Sequence, residues 1–292
     1  MTITTVQPKP ATLRVPGATI TYDVRLAGQS TEPPLLLIGS PMGAAGFTTL
    51  ASHFPNRTIV TYDPRGVERS VRDEITVPVD PEIHADDVYA VIEAVGDGVV
   101  DVFASSGGAV NALALVAKHP QRVRTLVAHE PPLAALLPDR EAALEACRAV
   151  AKTYQHGGFG RGMAHFISVI SHEGPFRSDF ASQPIPAAGD FGLPGEDDGS
   201  RDDPLLGQNM ITCTHYEPDL GTLRSAPTRI VVAAGEQSGQ TMARRTAHAL
   251  ADELGVEITL FPGDHGGFLG GEYGQMGVPD AFGQALRRVL AG

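Results

Sequence analysis

The sequence predicts an α/β protein with a doubly wound, mostly parallel sheet and one inserted helical segment. Three observations carry this. Short, continuous apolar runs, such as Leu35-Leu36-Leu37-Ile38 and Ile230-Val231-Val232-Ala233-Ala234, mark strands buried on both faces. From residue 34 to 128 such runs alternate with helical patterns. Residues 134–225 break that alternation. The chain has 292 residues, 42% hydrophobic and 19% charged, enough for a packed core and not a composition of disorder.

The hairpin comes first. Residues 13–15 and 18–24 alternate around the turn signal Pro16-Gly17. The run at 34–38 follows and enters Gly39-Ser40-Pro41-Met42-Gly43, then a helical pattern through Phe47, Leu50 and Phe54. Residues 57–62 form the next strand, ended by Asp63-Pro64-Arg65-Gly66. That turn reads as structural, with Arg65 tying loops together. A helix over 81–95 has apolar positions Ile83, Val88, Val91, Ile92 and Val95, and Gly96-Asp97-Gly98 ends it.

Residues 100–105 are a strand that stops in small residues, Ala104-Ser105-Ser106-Gly107-Gly108, before a helix that ends at Lys118-His119-Pro120. Residues 123–128 are another strand, followed by His129-Glu130-Pro131-Pro132. In the insertion, Asp139 is expected to cap a helix through Tyr154, and 159–171 is a second helix. Residues 174–204, rich in Pro, Gly and Asp, read as a loose excursion, and 205–215 resumes a helical pattern. Strands at 228–234 and 256–261, a helix at 242–254 and a terminal helix at 279–290 complete the chain. His265 lies in the Gly-rich loop after the last strand.

A tight turn with a serine at its tip leaves no room for large side chains two residues before and after it. Those positions are Ala104 and Gly108 around Ser106. The pattern resembles the nucleophile elbow G-x-S-x-G of α/β-hydrolases, with alanine for the first glycine. Gly39-Ser40-Pro41 matches the last three positions of that family's H-G-x-P loop, and Ile38 stands in place of its histidine. Asp63-Pro64-Arg65-Gly66 matches its D-x-R-G. The resemblance covers about 35–133 and 226–291. It implies an α/β-hydrolase core over 1–133 and 226–292, with 134–225 as a helical cap over the active site. The active site is expected beyond the carboxyl ends of the strands.

The resemblance also implies chemistry. A serine hydroxyl needs a base, and His265 occupies the position of the family's catalytic histidine. Acyl transfer needs N–H donors at the developing oxyanion, and Ser40 and Gly107 can supply them; Pro41 cannot. The family's commonest acid follows the strand equivalent to 228–234. Here that segment reads Gly235-Glu236-Gln237-Ser238, and a serine holds the aspartate's place. Glu130, after the preceding strand, is therefore the expected acid, with Glu236 the alternative. His129 is expected to point away from Glu130. The expected activity is cleavage of a carboxylic ester, thioester or lactone through an acyl-enzyme. Two other readings are a noncatalytic small-molecule-binding homologue and a cofactor-free, haloperoxidase-like perhydrolase. An aspartate nucleophile, as in haloalkane dehalogenases, is excluded by Ser106.

Composition limits the partners. Against 34 acidic residues stand 22 basic ones, a net charge of −12, which disfavours nucleic acid. A small-molecule substrate is expected, with no cofactor, no metal and no membrane partner, since no apolar run is long enough to span a bilayer. Histidine and cysteine spacings fit no metal motif. Phe159, Phe166, Phe176 and Met210 line an apolar pocket or pack a core. Cys147 and Cys213 read as free thiols of a reducing cytoplasm, with a single bridge left open. Residues 1–10 lack a secretory pattern.

Overall fold

A computed structural model describes residues 8–28, 30–96 and 98–292. The N-terminal segment before residue 8, and Asp97 of the expected helix stop, lie outside these. The strands are β1 (Lys9–Val15), β2 (Ala18–Arg25), β3 (Leu35–Ile38), β4 (Ile59–Tyr62), β5 (Val71–Arg72), β6 (Val100–Ser105), β7 (Val123–His129), β8 (Arg229–Gly235) and β9 (Thr259–Phe261). The helices are α1 (Thr48–Ser52), α2 (Pro81–Val95), α3 (Gly107–Lys118), α4 (Arg140–Ile170), α5 (Met210–Thr212), α6 (Leu220–Ser225), α7 (Met242–Leu254) and α8 (Pro279–Leu290).

One sheet runs in the order β1-β2-β4-β3-β6-β7-β8-β9, and β5 pairs with β2. The β1–β2 and β2–β4 pairs are antiparallel, and every pair from β4 to β9 is parallel. The continuous apolar runs follow from this. Successive side chains of a strand face opposite sides, and both sides are covered. Leu36, Ile38, Val102, Ala104, Leu126 and Ala128 pack with α2, α3 and α7. Their neighbours Leu35, Leu37, Phe103 and Val127 pack with α1 and α8.

The segment between β7 and β8 builds a third apolar cluster from Ala143, Ala146, Cys147, Val150, Tyr154, Phe176, Leu206 and Met210. Phe176 and Met210 are core residues there, with Phe159 and Phe166 packed against them. Cys147 and Cys213 are buried and free. Residues 174–204 contain only short 3₁₀ turns.

Four local expectations are corrected. Asp139 stands at the N-cap position of α4, but its side chain makes no capping hydrogen bond. Its carboxylate instead accepts from the Phe176 N–H at 2.6 Å and pairs with Arg245 of α7. The two helices expected at 139–154 and 159–171 abut without a loop, broken only at Gly158, where φ is 73°. Residues 205–215 are not one regular helix: Leu205–Asn209 is a π turn running into the short α5. The last strand is only Thr259–Phe261, at the edge of the sheet; Val256, expected within it, lies before it, and both Val256 and Leu260 face solvent.

Candidate active site

β6 ends at Ser105, and α3 begins at Gly107. The turn between them is one residue, Ser106, with φ 58° and ψ −130°. This is a costly conformation for a residue with a Cβ, and such strain persists only where the surroundings impose it. The imposed contacts are visible. A Cβ at Gly108 would meet the Gly39 Cα at 2.8 Å, and one at Gly107 would meet the Ser40 carbonyl oxygen at 2.5 Å. The small residues around Ser106 are therefore required by the approach of the β3 loop. The Ser106 N–H donates to the His129 carbonyl at 3.0 Å, which ties the turn to the end of β7.

Parallel register aligns the rest. Ser105 lies beside His129, and His129 beside Ala233. Glu130, one residue past β7, therefore emerges next to Ser106. It has φ 48° and is fully buried. Its Oε1 accepts from the Gly235 N–H at 2.9 Å. Its Oε2 lies 2.6 Å from His265 Nδ1. A buried carboxylate is tolerable only when paired and hydrogen-bonded, and both oxygens are engaged.

The two groups shift each other. Burial opposes the Glu130 charge, but the hydrogen bond and charge of His265 outweigh it and hold the carboxyl below its ordinary range. Desolvation opposes protonation of His265, and Glu130 outweighs that in turn, so the imidazole is raised above its ordinary value. With Nδ1 bound to a carboxylate, Nδ1 carries the proton and Nε2 is the basic nitrogen. Among the described residues no hydrogen bond joins Ser106 Oγ to His265. Such contacts are often long before substrate binds.

Ser40 is buried, and its Oγ accepts from Asn209 Nδ2 at 2.9 Å. Neither the Ser40 N–H nor the Gly107 N–H donates to a carbonyl or side chain among the described residues. Both remain available to an incoming oxygen. Glu236, the alternative acid, lies outside the group. Its backbone N–H donates to the Phe261 carbonyl at 2.8 Å, and its exposed side chain engages no hydrogen-bond partner among the described residues. Asp63 and Arg65 hold loops: Asp63 Oδ1 accepts from the Ala44 N–H at 2.8 Å, and Arg65 Nε donates to Asp87 at 2.7 Å.

Two features of the site carry no motif in the sequence. Ser105 Oγ and His129 Nδ1 are 3.0 Å apart, a side-chain link between the residues immediately before Ser106 and Glu130. His129 thus faces Ser105 and not Glu130, as expected. It is fully buried among Phe103, Phe261, Phe268 and Phe282, 5.9 Å from the His265 ring, and burial lowers its pKa to about 4. Pairing the two strands in register would have found this link. Asn209 carried no signal, because nothing in the insertion's sequence fixes which residue meets Ser40.

Comparisons with known proteins agree with this architecture. Residues 18–182 match the model of a family described as alpha/beta hydrolase fold. YraK of Bacillus subtilis (strain 168), an uncharacterized hydrolase, is 31% identical over 271 residues, covering 88% of this chain and 89% of its own. A thermophilic esterase from Thermogutta terrifontis, solved with malate bound, superposes with a TM-score of 0.66 over 98% of each chain at 19% identity. The thioesterase domain from the curacin biosynthetic pathway superposes with a TM-score of 0.61 over 98% of this chain and 99% of that one, at 16% identity. At these identities the solved structures speak for the fold alone.

Proposed function

Because this chain belongs to the α/β hydrolase fold family, we propose that it is a serine hydrolase that cleaves a carboxylic ester, thioester or lactone of a small molecule. The observation that carries the reading is the buried Glu130 bonded to His265, beside a strained turn with Ser106 at its tip. Ser106 Oγ attacks the substrate carbonyl, and His265 Nε2 takes its proton. Glu130 fixes the imidazole's tautomer and stabilises the imidazolium. The N–H groups of Ser40 and Gly107 hold the oxyanion. Collapse of the tetrahedral intermediate breaks the bond to the leaving group, which receives the proton from His265. Water, deprotonated by His265, then attacks the acyl-enzyme, and Ser106 regains its proton as the acid departs.

Residues 134–225 act as a cap on the core formed by 1–133 and 226–292. Their Asn209 reaches Ser40, which supports that role. The reading of ester over amide rests on the resemblance. A panel of short acyl esters, thioesters, lactones and amides tests it. Turnover of at least one ester or lactone class is expected, with a loss of about 10³-fold or more in kcat for Ser106→Ala. Undiminished ester turnover by that variant would refute the assignment.

A further inference from the structure

We infer that Asn209, carried by the inserted segment, is a positioning residue that holds Ser40 so that its N–H points at the oxyanion. This rests on the reading of Ser106 as nucleophile and of Ser40 and Gly107 as the oxyanion donors. Four observations support it.

First, Ser40 has few other anchors. Its N–H must stay free for the oxyanion, and the next residue, Pro41, has no N–H to bind the loop in place. The Ser40 hydroxyl is the remaining handle, and Asn209 Nδ2 donates to it at 2.9 Å. Second, both side chains are buried, at 4% and 5% exposure, so water does not compete for this bond. Third, Asn209 closes a π turn, Leu205–Asn209, and the extra residue of such a turn re-aims the side chains that follow it. The neighbouring Gln208 is held as well, with its Oε1 accepting from Arg72 Nη1 at 3.0 Å. The turn is therefore pinned to the core at Asn209 and at the residue before it. Fourth, the same short segment reaches the second donor. A Cβ on Gly107 would stand 3.1 Å from Cys213 Sγ.

The consequence is specific. The oxyanion hole is built on the core, but its geometry is set from the insertion. Loss of the Asn209 bond would leave substrate binding intact and weaken the donor only where charge develops on the carbonyl oxygen. An interaction made only in the transition state shows in kcat and not in KM.

The test is a double-variant cycle on the full chain with one turned-over ester, together with the rate of covalent labelling by a fluorophosphonate. Ser40→Ala keeps the N–H and removes only the hydroxyl. Asn209→Ala removes the donor, and Asn209→Leu does so while keeping volume, should the alanine variant fold poorly. Each single variant is expected to lose about tenfold in kcat and in labelling rate, a fraction of the loss known for deleting an oxyanion donor, with KM unchanged. The double variant is expected to lose no more than the worse single one, because both remove the same bond. Ser40→Thr, which keeps the Oγ, should remain sensitive to Asn209→Ala. Losses that multiply, a loss confined to KM, or no loss would each overturn the inference while leaving Ser106 labelled. No labelling of Ser106 in the parent enzyme would overturn the nucleophile reading and this inference with it.

Discussion

Glu130 is where residue chemistry decides the account. Two glutamates follow adjacent strands, and the structure buries one against His265 while leaving the other in solvent. Glu130→Gln keeps the shape but donates an N–H or presents a neutral oxygen where a charge steadied the imidazolium. We expect kcat to fall by about 10³–10⁴-fold, as for the equivalent change in serine proteases. Glu236→Gln should leave kcat unchanged. The pH profile carries a second expectation. In the proposed mechanism His265 must be neutral to accept the Ser106 proton, and Glu130 raises its pKa. Activity should therefore be lost on acidification from above the ordinary histidine value of about 6.5, and this limb should move to lower pH in Glu130→Gln. Steady-state kcat/KM across pH 5–9 reads both. The tight turn at Ser106 and the meeting of Glu130 with His265 were legible because each residue follows a strand end in a recognisable local pattern. Asn209 was not, since its contact with Ser40 spans 169 residues and depends on how an irregular segment docks.

Among the elements, the parallel strands and the terminal helix were legible from apolar runs and 3.6-residue periodicity. What escaped were the places where tertiary contact overrides local preference. Asp139 has the chemistry of a cap, but Arg245 and the Phe176 N–H outcompete the helix end for its carboxylate. Asp80 shows the contrast: it caps α2, accepting from the Ile83 N–H at 2.9 Å. Asp80→Ala should cost about 1 kcal/mol in urea unfolding, with activity retained. Gly158 makes the break inside α4. Its φ of 73° strains any side chain, and a Cβ would run into the Asp197 carboxylate. Gly158→Ala should destabilise by about 1–3 kcal/mol, a loss visible in the same unfolding experiment.

The whole molecule joins a core packed on both sheet faces to an insertion with its own apolar cluster. Its buried histidines give it an acid-sensitive stability. His84 is enclosed with both ring nitrogens unpartnered among the described residues, and burial, helped by Arg65 and Arg72, lowers its pKa to about 3. His129 is lowered to about 4, mainly by burial. Unfolded, both take up protons near pH 6.5, while the folded state refuses them until far lower pH. Their contribution is complete above about pH 6.5 and is lost as pH falls towards those depressed values. Each adds a slope of up to about 1.4 kcal/mol per pH unit over that interval. Urea midpoints between pH 7 and 5 should fall with acidification, and His84→Leu should flatten the fall by about one proton. The central claim, that this assembly exists to make Ser106 a nucleophile, is tested most directly by intact-mass and peptide mapping after fluorophosphonate treatment. One adduct per chain, located on Ser106 and absent from Ser106→Ala, is the predicted result. An unmodified chain, or an adduct on another residue that persists in Ser106→Ala, would contradict it.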